Sequence, residues 1–282
     1  MAYLNIEEDP NKDPSDDSYK KLKMKTCFFT ICDSLLQKGL PNSRNLDFKG
    51  FVNSFTKFHP DIELVIFDET DMAKQGVNYY NAKATFGRIL SEQYELVVNV
   101  DADHYFFDRC DEILAGDYDV ACPANFNETD NLVGIKVSSG ITGNGNPNWL
   151  VDEKQFLQGG LIASPNKQFW KHYEHAVNLH YKKFVCFEND VLNIVAYTYP
   201  YKVKVLDGHY DYRNENHTQW YGCSIIGKEK KCFVSAAENR DYIFCEDKPV
   251  KAYHFAHGSA KKKYTDIFPF EVCQFIEQNI IA

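Results

Sequence analysis

Short apolar runs and segments with helical spacing alternate along the first hundred residues. Residues 25–31, 62–67 and 96–100 are apolar runs of strand length. Between them, residues 44–58 and 78–90 carry apolar side chains at the spacing of an amphipathic helix. This βαβαβ order predicts a parallel sheet that forms a nucleotide-binding half.

The rest of the chain continues the alternation. Strands are predicted at 118–122, 156–163, 203–206 and 250–255, and helices at 165–184, 188–197 and 270–280. Between them lies a long loop, 125–148, rich in Gly, Asn, Ser and Thr, and loops of this length are typically functional or disordered. The pattern predicts an α/β fold, with a Rossmann-like, mostly parallel central sheet flanked by helices in a single domain.

Charge is distributed unevenly along the 282 residues, whose formal net charge is −9. The first 18 residues hold six acidic side chains and one lysine, so we expect a disordered acidic segment at 1–20. The folded domain is then 21–282, with a nucleotide-binding half at 21–103 and a sugar and acceptor half at 104–282. The acidic balance disfavours a nucleic-acid binder driven by electrostatics.

Nine cysteines lie far apart without a CxxC pair, which favours reduced thiols. No apolar run is long enough to span a bilayer, and no signal-like segment is present. These features predict a cytoplasmic protein without a membrane span, located in the host cytoplasm if the chain is virus-encoded.

An acidic pair, Asp101 and Asp103, follows the apolar run 96–100 directly. Ligands of open α/β sheets bind beyond the carboxyl ends of the strands, which is where this pair is predicted to lie. If the strand alternation continues, both carboxylates point to the same side, and their repulsion favours a bridging cation. The sequence predicts a divalent metal site that also holds a diphosphate; the alternative is a pair of solvated acids that cap a turn.

Three later segments carry further candidate chemistry. Gln158 precedes a glycine pair within a predicted strand, where backbone must approach another group closely. Glu188, Asn189 and Asp190 begin a helix, whose positive end favours acids. His254 lies near the end of the predicted strand 250–255.

Together these blocks resemble the glycogenin-like, family 8 retaining glycosyltransferases, which have the GT-A fold. The resemblance implies that Asp101, Asp103 and His254 hold Mn²⁺, or Mg²⁺, which grips the diphosphate of the donor. The late motif HFAHGSAK is one residue longer than the HFxGxxK of the family, so His257 remains an alternative to His254.

The resemblance also suggests a donor-binding set. Lys83 and Arg88 show the family's spacing of a lysine five residues before an arginine, and with Lys261 they are candidates to neutralise the diphosphate. On helical propensity alone, Lys83 and Arg88 would be exposed residues. The family places the base and ribose at the end of the first strand, which predicts nucleotide contacts for Thr30 and Cys32, and for Asp68 after the second strand.

The sugar side of the predicted site consists of Glu188, Asn189 and Asp190, with Gln158 opposite. An oxocarbenium-like centre requires negative charge or amide oxygen nearby, and these side chains supply both. The structural alternative for Glu188 and Asp190 is that they are acids favoured by the first turn of a helix.

The predicted activity is metal-dependent transfer of a sugar from a nucleotide sugar, with UDP as the nucleotide and with retention. The acceptor stays open among a glycan, a protein and a modified nucleic acid such as hydroxymethylated phage DNA. One alternative is a nucleotidyltransferase, but residues 30–34 lack the glycine-rich phosphate loop usual in that class. A second alternative is a non-catalytic sugar-binding protein.

Overall fold

The computed structural model describes residues 24–37, 48–123, 157–183, 188–206, 232–237, 240–245, 248–255, 265 and 268–281. The predictions for the acidic segment 1–20, the loop 125–148, Lys261 and His257 lie outside these residues. No helix within the described ranges is long and apolar enough to cross a membrane.

A six-stranded sheet organises the described part of the chain, in the order β2-β1-β3-β6-β5-β7. The pairs β1/β2, β1/β3 and β5/β7 are parallel, whereas β6 runs antiparallel to both of its neighbours. In chain order the strands are β1 (Thr26–Ile31), β2 (Glu63–Phe67), β3 (Leu96–Val100), β4 (His104–Phe106), β5 (Val120–Pro123), β6 (Leu161–Ser164), β7 (Val203–Leu206), β8 (Cys232–Ala237), β9 (Arg240–Cys245), β10 (Lys248–Pro249) and β11 (Ala252–His254).

Helices cover both faces of this sheet. The α-helices of the described residues are α1 (Ser34–Gln37), α2 (Phe48–Phe58), α3 (Glu69–Gln75), α4 (Tyr79–Leu90), α5 (Asp111–Leu114), α6 (Lys167–His180), α7 (Glu188–Thr198) and α8 (Phe270–Ile276). Phe29 and its alternate neighbours in β1 pack with side chains of α4, α6 and α7. Phe28 faces the opposite way and packs with α2. Burial on both faces explains why the central strands are continuous apolar runs.

The observed architecture confirms the predicted fold class: a mixed α/β fold with a mostly parallel central sheet between helices. The carboxyl ends of β1, β2 and β3 lie at the same edge because the three strands are parallel. Residues that follow these strands therefore gather at one edge of the sheet, as the sequence predicted for the site.

A short two-stranded sheet lies beside this edge. β4 and β11 pair antiparallel, with His104 directly opposite His254. Behind them, Tyr105, Tyr253 and Phe268 belong to a third apolar cluster that includes α8. This small sheet joins the segment that follows β3 to a segment about 150 residues later in the chain.

The observed elements differ from the predicted ones in several places. The strand predicted at 156–163 begins at Leu161, because residues 158–160 turn before it, and it runs antiparallel to β3. Helix α3 was not predicted; it is short, and its capping box between Asp68 and Asp71 stabilises a segment without a buried face.

Candidate active site

Lys83 connects three segments at the carboxyl edge of the sheet. Its Nζ lies 2.8 Å from Oδ1 of Asp101 and 3.8 Å from Oε1 of Glu188, and it donates to the carbonyl oxygen of Gly159 at 3.0 Å. The lysine is buried, which contradicts the exposed position expected from helical propensity alone. It therefore holds the end of β3, the turn before β6 and the start of α7 together.

The ionisation of this group follows from its burial and its partners. Burial alone would lower the pKa of Lys83, but Asp101 and then Glu188 hold it above its usual range, so the lysine is charged. Burial also raises the pKa of Glu188, and Lys83 offsets only part of that rise. Glu188 is thus a carboxylate in a poorly hydrated position beside a fixed cation.

Asp103 belongs to a different cluster from Asp101. Its Oδ1 lies 3.2 Å from Nε2 of His254 and 3.9 Å from Nδ1 of His104. Burial opposes ionisation of Asp103, but His254 and then His104 hold the pKa of its carboxyl well below its usual range. The structure therefore brings together two of the three predicted metal ligands, Asp103 and His254, and places Asp101 against Lys83 instead.

His104 was not predicted as a site residue. Its ring stacks on that of His254, with centroids 4.1 Å apart and planes inclined by 21°. The one available signal was its position directly after the acidic pair. Strand β4 is only three residues long and depends on pairing with β11, so local sequence gave no reason to place His104 beside His254.

The glycine pair allows backbone to approach both clusters closely. A Cβ on Gly159 would lie 2.4 Å from Oδ1 of Asn189, and one on Gly160 would lie 2.7 Å from Cε1 of His254. The Gly160 carbonyl also accepts from the backbone N–H of Asp101 at 2.8 Å. The sequence inference that backbone must come close to another group here is correct, and the neighbours are the candidate site residues.

The predicted amides hold this turn in place. The side-chain oxygen of Gln158 accepts from the N–H of Gly160 at 2.6 Å, and that of Asn189 accepts from the N–H of Gly159 at 2.7 Å. Asn193, one helical turn further along α7, bonds both backbone groups of Leu157 at 2.7 and 3.0 Å. The turn and the start of α7 therefore form one hydrogen-bonded unit.

Asp190, the other predicted sugar-side acid, is buried in the first turn of α7. Arg88 lies away from these groups, because five residues turn an α-helix by about 140° beyond one full revolution. Its Nε donates to Oε2 of Glu174 on α6 at 2.5 Å. The diphosphate role of Arg88 stays a prediction, as does that of Lys261.

The predicted nucleotide residues lie at the ends of β1 and β2. Thr30 is fully buried, and its Oγ1 has no hydrogen-bond partner among the described residues. Burial, then Asp33 and Glu69, raise the pKa of the Cys32 thiol to about 12, so this thiol is neutral. Asp68 caps α3 by accepting from the N–H groups of Thr70 and Asp71 at 2.8 and 3.1 Å.

The group around Asp103 fits a divalent cation. Two ligand atoms bound side by side to an octahedral ion at about 2.1 Å are about 3.0 Å apart, close to the 3.2 Å between Asp103 Oδ1 and His254 Nε2. Asp103 Oδ1 is buried without a geometrically satisfactory hydrogen bond to any described residue. A carboxylate oxygen with an imidazole nitrogen suits Mn²⁺ better than Mg²⁺.

No protein-family profile and no curated protein matches the chain. Similar solved structures include the apo form of the bifunctional glycosyltransferase WbbM, at 14% identity and a TM-score of 0.48, which covers 96% of this chain and 53% of WbbM. This chain therefore spans about half the length of WbbM.

Two others are the galactosyltransferase LgtC in complex with donor and acceptor sugar analogues, and the apo form of mouse xyloside xylosyltransferase 1. LgtC shows 12% identity and a TM-score of 0.46, over 82% of this chain and 87% of LgtC. The mouse enzyme shows 8% identity and a TM-score of 0.49, over 83% of this chain and 98% of its own. At these scores the likeness assigns neither an activity nor a substrate.

Proposed function

We propose that the chain is a metal-dependent glycosyltransferase of the GT-A type, which transfers a sugar from a nucleotide sugar to an acceptor. One observation carries the proposal: the pair Asp103 and His254, which we propose to bind the cation, and Glu188, the proposed sugar-side acid, both border the turn 158–160 and its partner Lys83. A cation would stabilise the departing diphosphate and a nearby carboxylate the sugar, so the two kinds of group suit this transfer.

The diphosphate of the donor is proposed to bind at the cation group, with its base and ribose towards Thr30, Cys32 and Asp68. A bound divalent ion would supply Lewis-acid stabilisation of the charge that develops on the departing diphosphate. UDP is our proposal for the nucleotide, from the family resemblance. Lys261 is the proposed additional cation, because Lys83 and Arg88 already pair with protein carboxylates.

On the sugar side, Glu188 and Asp190 are proposed to supply negative charge near the anomeric carbon. Lys83 positions Glu188, while burial raises the pKa of the Glu188 carboxyl and leaves the carboxylate poorly hydrated. Gln158 and Asn189 fix the glycine turn through their amide oxygens, and their amino groups are proposed to face the sugar hydroxyls. Retention of anomeric configuration is proposed with this arrangement, by the same resemblance.

A panel of nucleotide sugars, each with Mn²⁺ or Mg²⁺, tests the proposal by thermal shift and by release of nucleoside diphosphate. We expect one donor to stabilise the protein and to be hydrolysed slowly, and Asp103→Asn to lose both effects. Asp241→Asn, an exposed aspartate on β9, is the matched control. The proposal would be wrong if no donor changed the melting temperature and Asp103→Asn behaved like wild type in both measurements.

The same assay separates the alternatives. Release of pyrophosphate from a nucleoside triphosphate would indicate a nucleotidyltransferase, and a thermal shift without turnover would indicate a sugar-binding protein. With the active donor, glycans, proteins and hydroxymethylated DNA are then offered as acceptors. NMR of the nascent product reports its anomeric configuration, and an inverted product would refute retention.

A further inference from the structure

Building on the proposed function, we propose that three tyrosines beside the candidate site, Tyr79, Tyr80 and Tyr181, bind a sugar ring of the acceptor. The group is called the tyrosine platform below. The acceptor is then a saccharide or a glycoconjugate, which decides among the acceptor classes that the proposed function leaves open. The platform binds the acceptor and takes no part in holding the cation or the donor.

The tyrosine platform lies at the edge of the sheet that carries the candidate site. Helix α4 leads from the end of β2 back to the start of β3, so its first turn lies at the carboxyl edge of these parallel strands. Tyr79 and Tyr80 occupy that turn, four and three residues before Lys83, and residues at this spacing share a helix face. The rise along the helix from Tyr79 to Lys83 is about 6 Å. The platform therefore begins one turn away from the ammonium group that pairs with Glu188.

Hydrogen bonds and ring stacking hold the platform in one arrangement. Asn78, the N-cap of α4, accepts from the N–H of Tyr80 at 2.9 Å and donates to the Tyr181 hydroxyl at 2.8 Å. The rings of Tyr80 and Tyr181 stack with centroids 5.6 Å apart and planes inclined by 23°. The Tyr79 ring meets that of Tyr80 edge-on at 6.5 Å. The buried Tyr181 thus supports two tyrosines that are 36% and 38% exposed.

The chemistry of this surface suits a sugar ring. A pyranose presents C–H groups on its faces, which pack against an aromatic ring, and hydroxyls around its rim, which both donate and accept hydrogen bonds. Tyrosine offers a rigid apolar face with a polar tip at a low cost in conformational entropy. Beside the platform, the side-chain amides of Asn81 and Asn178 bond each other at 2.8 Å, and amides also both donate and accept.

Exposure assigns the platform to the acceptor rather than to the donor sugar. The groups proposed to act on the donor sugar lie deep, since the side chains of Lys83 and Glu188 are 6% and 14% exposed. Tyr79 and Tyr80 are both more than a third exposed at the same edge of the sheet. A second substrate that enters over a bound donor reaches this outer surface first.

Nucleobases also stack on aromatic rings, but a nucleic acid additionally requires a field of cations for its phosphates. Lys182 supplies one cation, with its Nζ 5.6 Å from the centre of the Tyr181 ring. The formal net charge of −9 opposes a polyanionic acceptor, whereas a neutral saccharide is indifferent to it. The observations therefore favour a saccharide over hydroxymethylated DNA.

Saturation-transfer NMR without donor or metal tests the binding itself. The probes are methyl pyranosides and disaccharides of the common hexoses, a short duplex with hydroxymethylated cytosine, and a tyrosine-containing peptide. We expect a saccharide to receive saturation on the C–H protons of one of its rings. Transfer to none of the saccharides, or only to the duplex or the peptide, would overturn the proposal.

Variants locate the contact on the platform. Tyr80→Ala should weaken binding of that saccharide by about 10-fold, because one aromatic face is lost, and Tyr80→Phe should retain it. Tyr199→Ala is the matched control, since it removes a tyrosine of similar exposure, 40%, directly after α7, and it should bind like wild type. Wild-type affinity in Tyr80→Ala, or an equal loss in Tyr80→Phe, would refute stacking on this ring.

Kinetics with an active donor provide a second readout. Tyr80→Ala should raise the KM of the saccharide acceptor by about 10-fold with a smaller change in kcat, the pattern of a group that binds the substrate before and during transfer alike. Saccharide binding without glycosyl transfer would remove the proposed function and leave the platform as a sugar-binding surface. Release of diphosphate from a donor without saccharide binding would remove the platform alone.

Discussion

Lys83 lies in an environment that its position on an amphipathic helix does not predict. A lysine on an amphipathic helix is normally solvated, but here the ammonium group is buried between Asp101 and Glu188. Removing the charge of Lys83 would leave two carboxylates without a counter-charge in a poorly hydrated place, which is strongly destabilising. Lys83 is therefore a positioning residue that holds two site carboxylates, and it is not available as a free cation for the diphosphate.

Replacement of Lys83 by methionine tests this role. We expect Lys83→Met to lower the free energy of unfolding by about 3–5 kcal/mol, because the partly buried Asp101 and Glu188 lose their counter-charge. Urea denaturation measures the loss. The control Lys74→Met removes an exposed ion pair with Asp71 and should change stability by less than about 1 kcal/mol. Equal losses of unfolding free energy in the two variants would show that Lys83 does not stabilise the protein through its pairs with Asp101 and Glu188.

Glu188 gives a prediction with a defined pH dependence. Its folded-state pKa lies above its ordinary value of 4.5, so the ionised carboxylate costs stability once the pH exceeds that ordinary value. Glu188→Gln should therefore be more stable than wild type at pH 7, and the gain should shrink as the pH falls towards 4. Urea denaturation from pH 4 to 8 measures this trend.

The same substitution should reduce glycosyl transfer by about 100-fold, since it removes the charge proposed to face the anomeric carbon. Glu112→Gln, on the exposed side of α5, should leave both stability and activity near wild type. If Glu188→Gln is stabilised and fully active, Glu188 has a structural role and no role in glycosyl transfer.

Among the secondary-structure elements, the turn before β6 determines how the two clusters meet. Gly160→Ala would bring a Cβ to 2.7 Å from Cε1 and 2.9 Å from Nδ1 of His254. We expect this crowding to cost about 1–3 kcal/mol of stability and to weaken metal binding, because the imidazole must move. Calorimetric titration with Mn²⁺ measures the second effect.

Gly76 provides a matched control for that substitution. It has φ of +65° and no atom within 4 Å of an added Cβ, so Gly76→Ala strains the backbone without touching the site. It should lose about 1 kcal/mol of stability and retain wild-type metal affinity. Unchanged metal affinity in Gly160→Ala would show that the histidine ring is not held by this turn.

Elements with strong local signals were predictable, and those that depend on distant pairing were not. The apolar runs at β1, β2 and β3 are buried on both faces, which is why their composition identified them. The sequence placed Gln158 to Gly160 inside a strand, but the glycines form a turn, with site side chains close beside them. The antiparallel direction of β6 likewise depends on its pairing with β3 and β5, and no local sequence pattern encodes it.

For the molecule as a whole, the candidate site is assembled from residues far apart in the chain. Asp103 and His254 were predicted as partners and lie together, whereas His104 and the pairing of Lys83 with Asp101 emerged only from the structure. Motif spacing identifies which side chains have suitable chemistry. It does not show that Asp101 turns towards a lysine and Asp103 towards a histidine, because these directions depend on how the chain leaves β3.

A cation at this site would connect the two halves of the chain. Asp103 lies between β3 and β4 and His254 ends β11, so binding to both would oppose separation of β11 from the segment that follows β3. An ion that binds only the folded state raises its stability by about 2.7 kcal/mol at a concentration 100 times its dissociation constant. We therefore expect Mn²⁺ to raise the urea midpoint of the whole protein, and a chelator to reverse the effect. His254→Asn should abolish the increase and His175→Asn should preserve it; a similar increase in both variants would place the stabilising ion elsewhere.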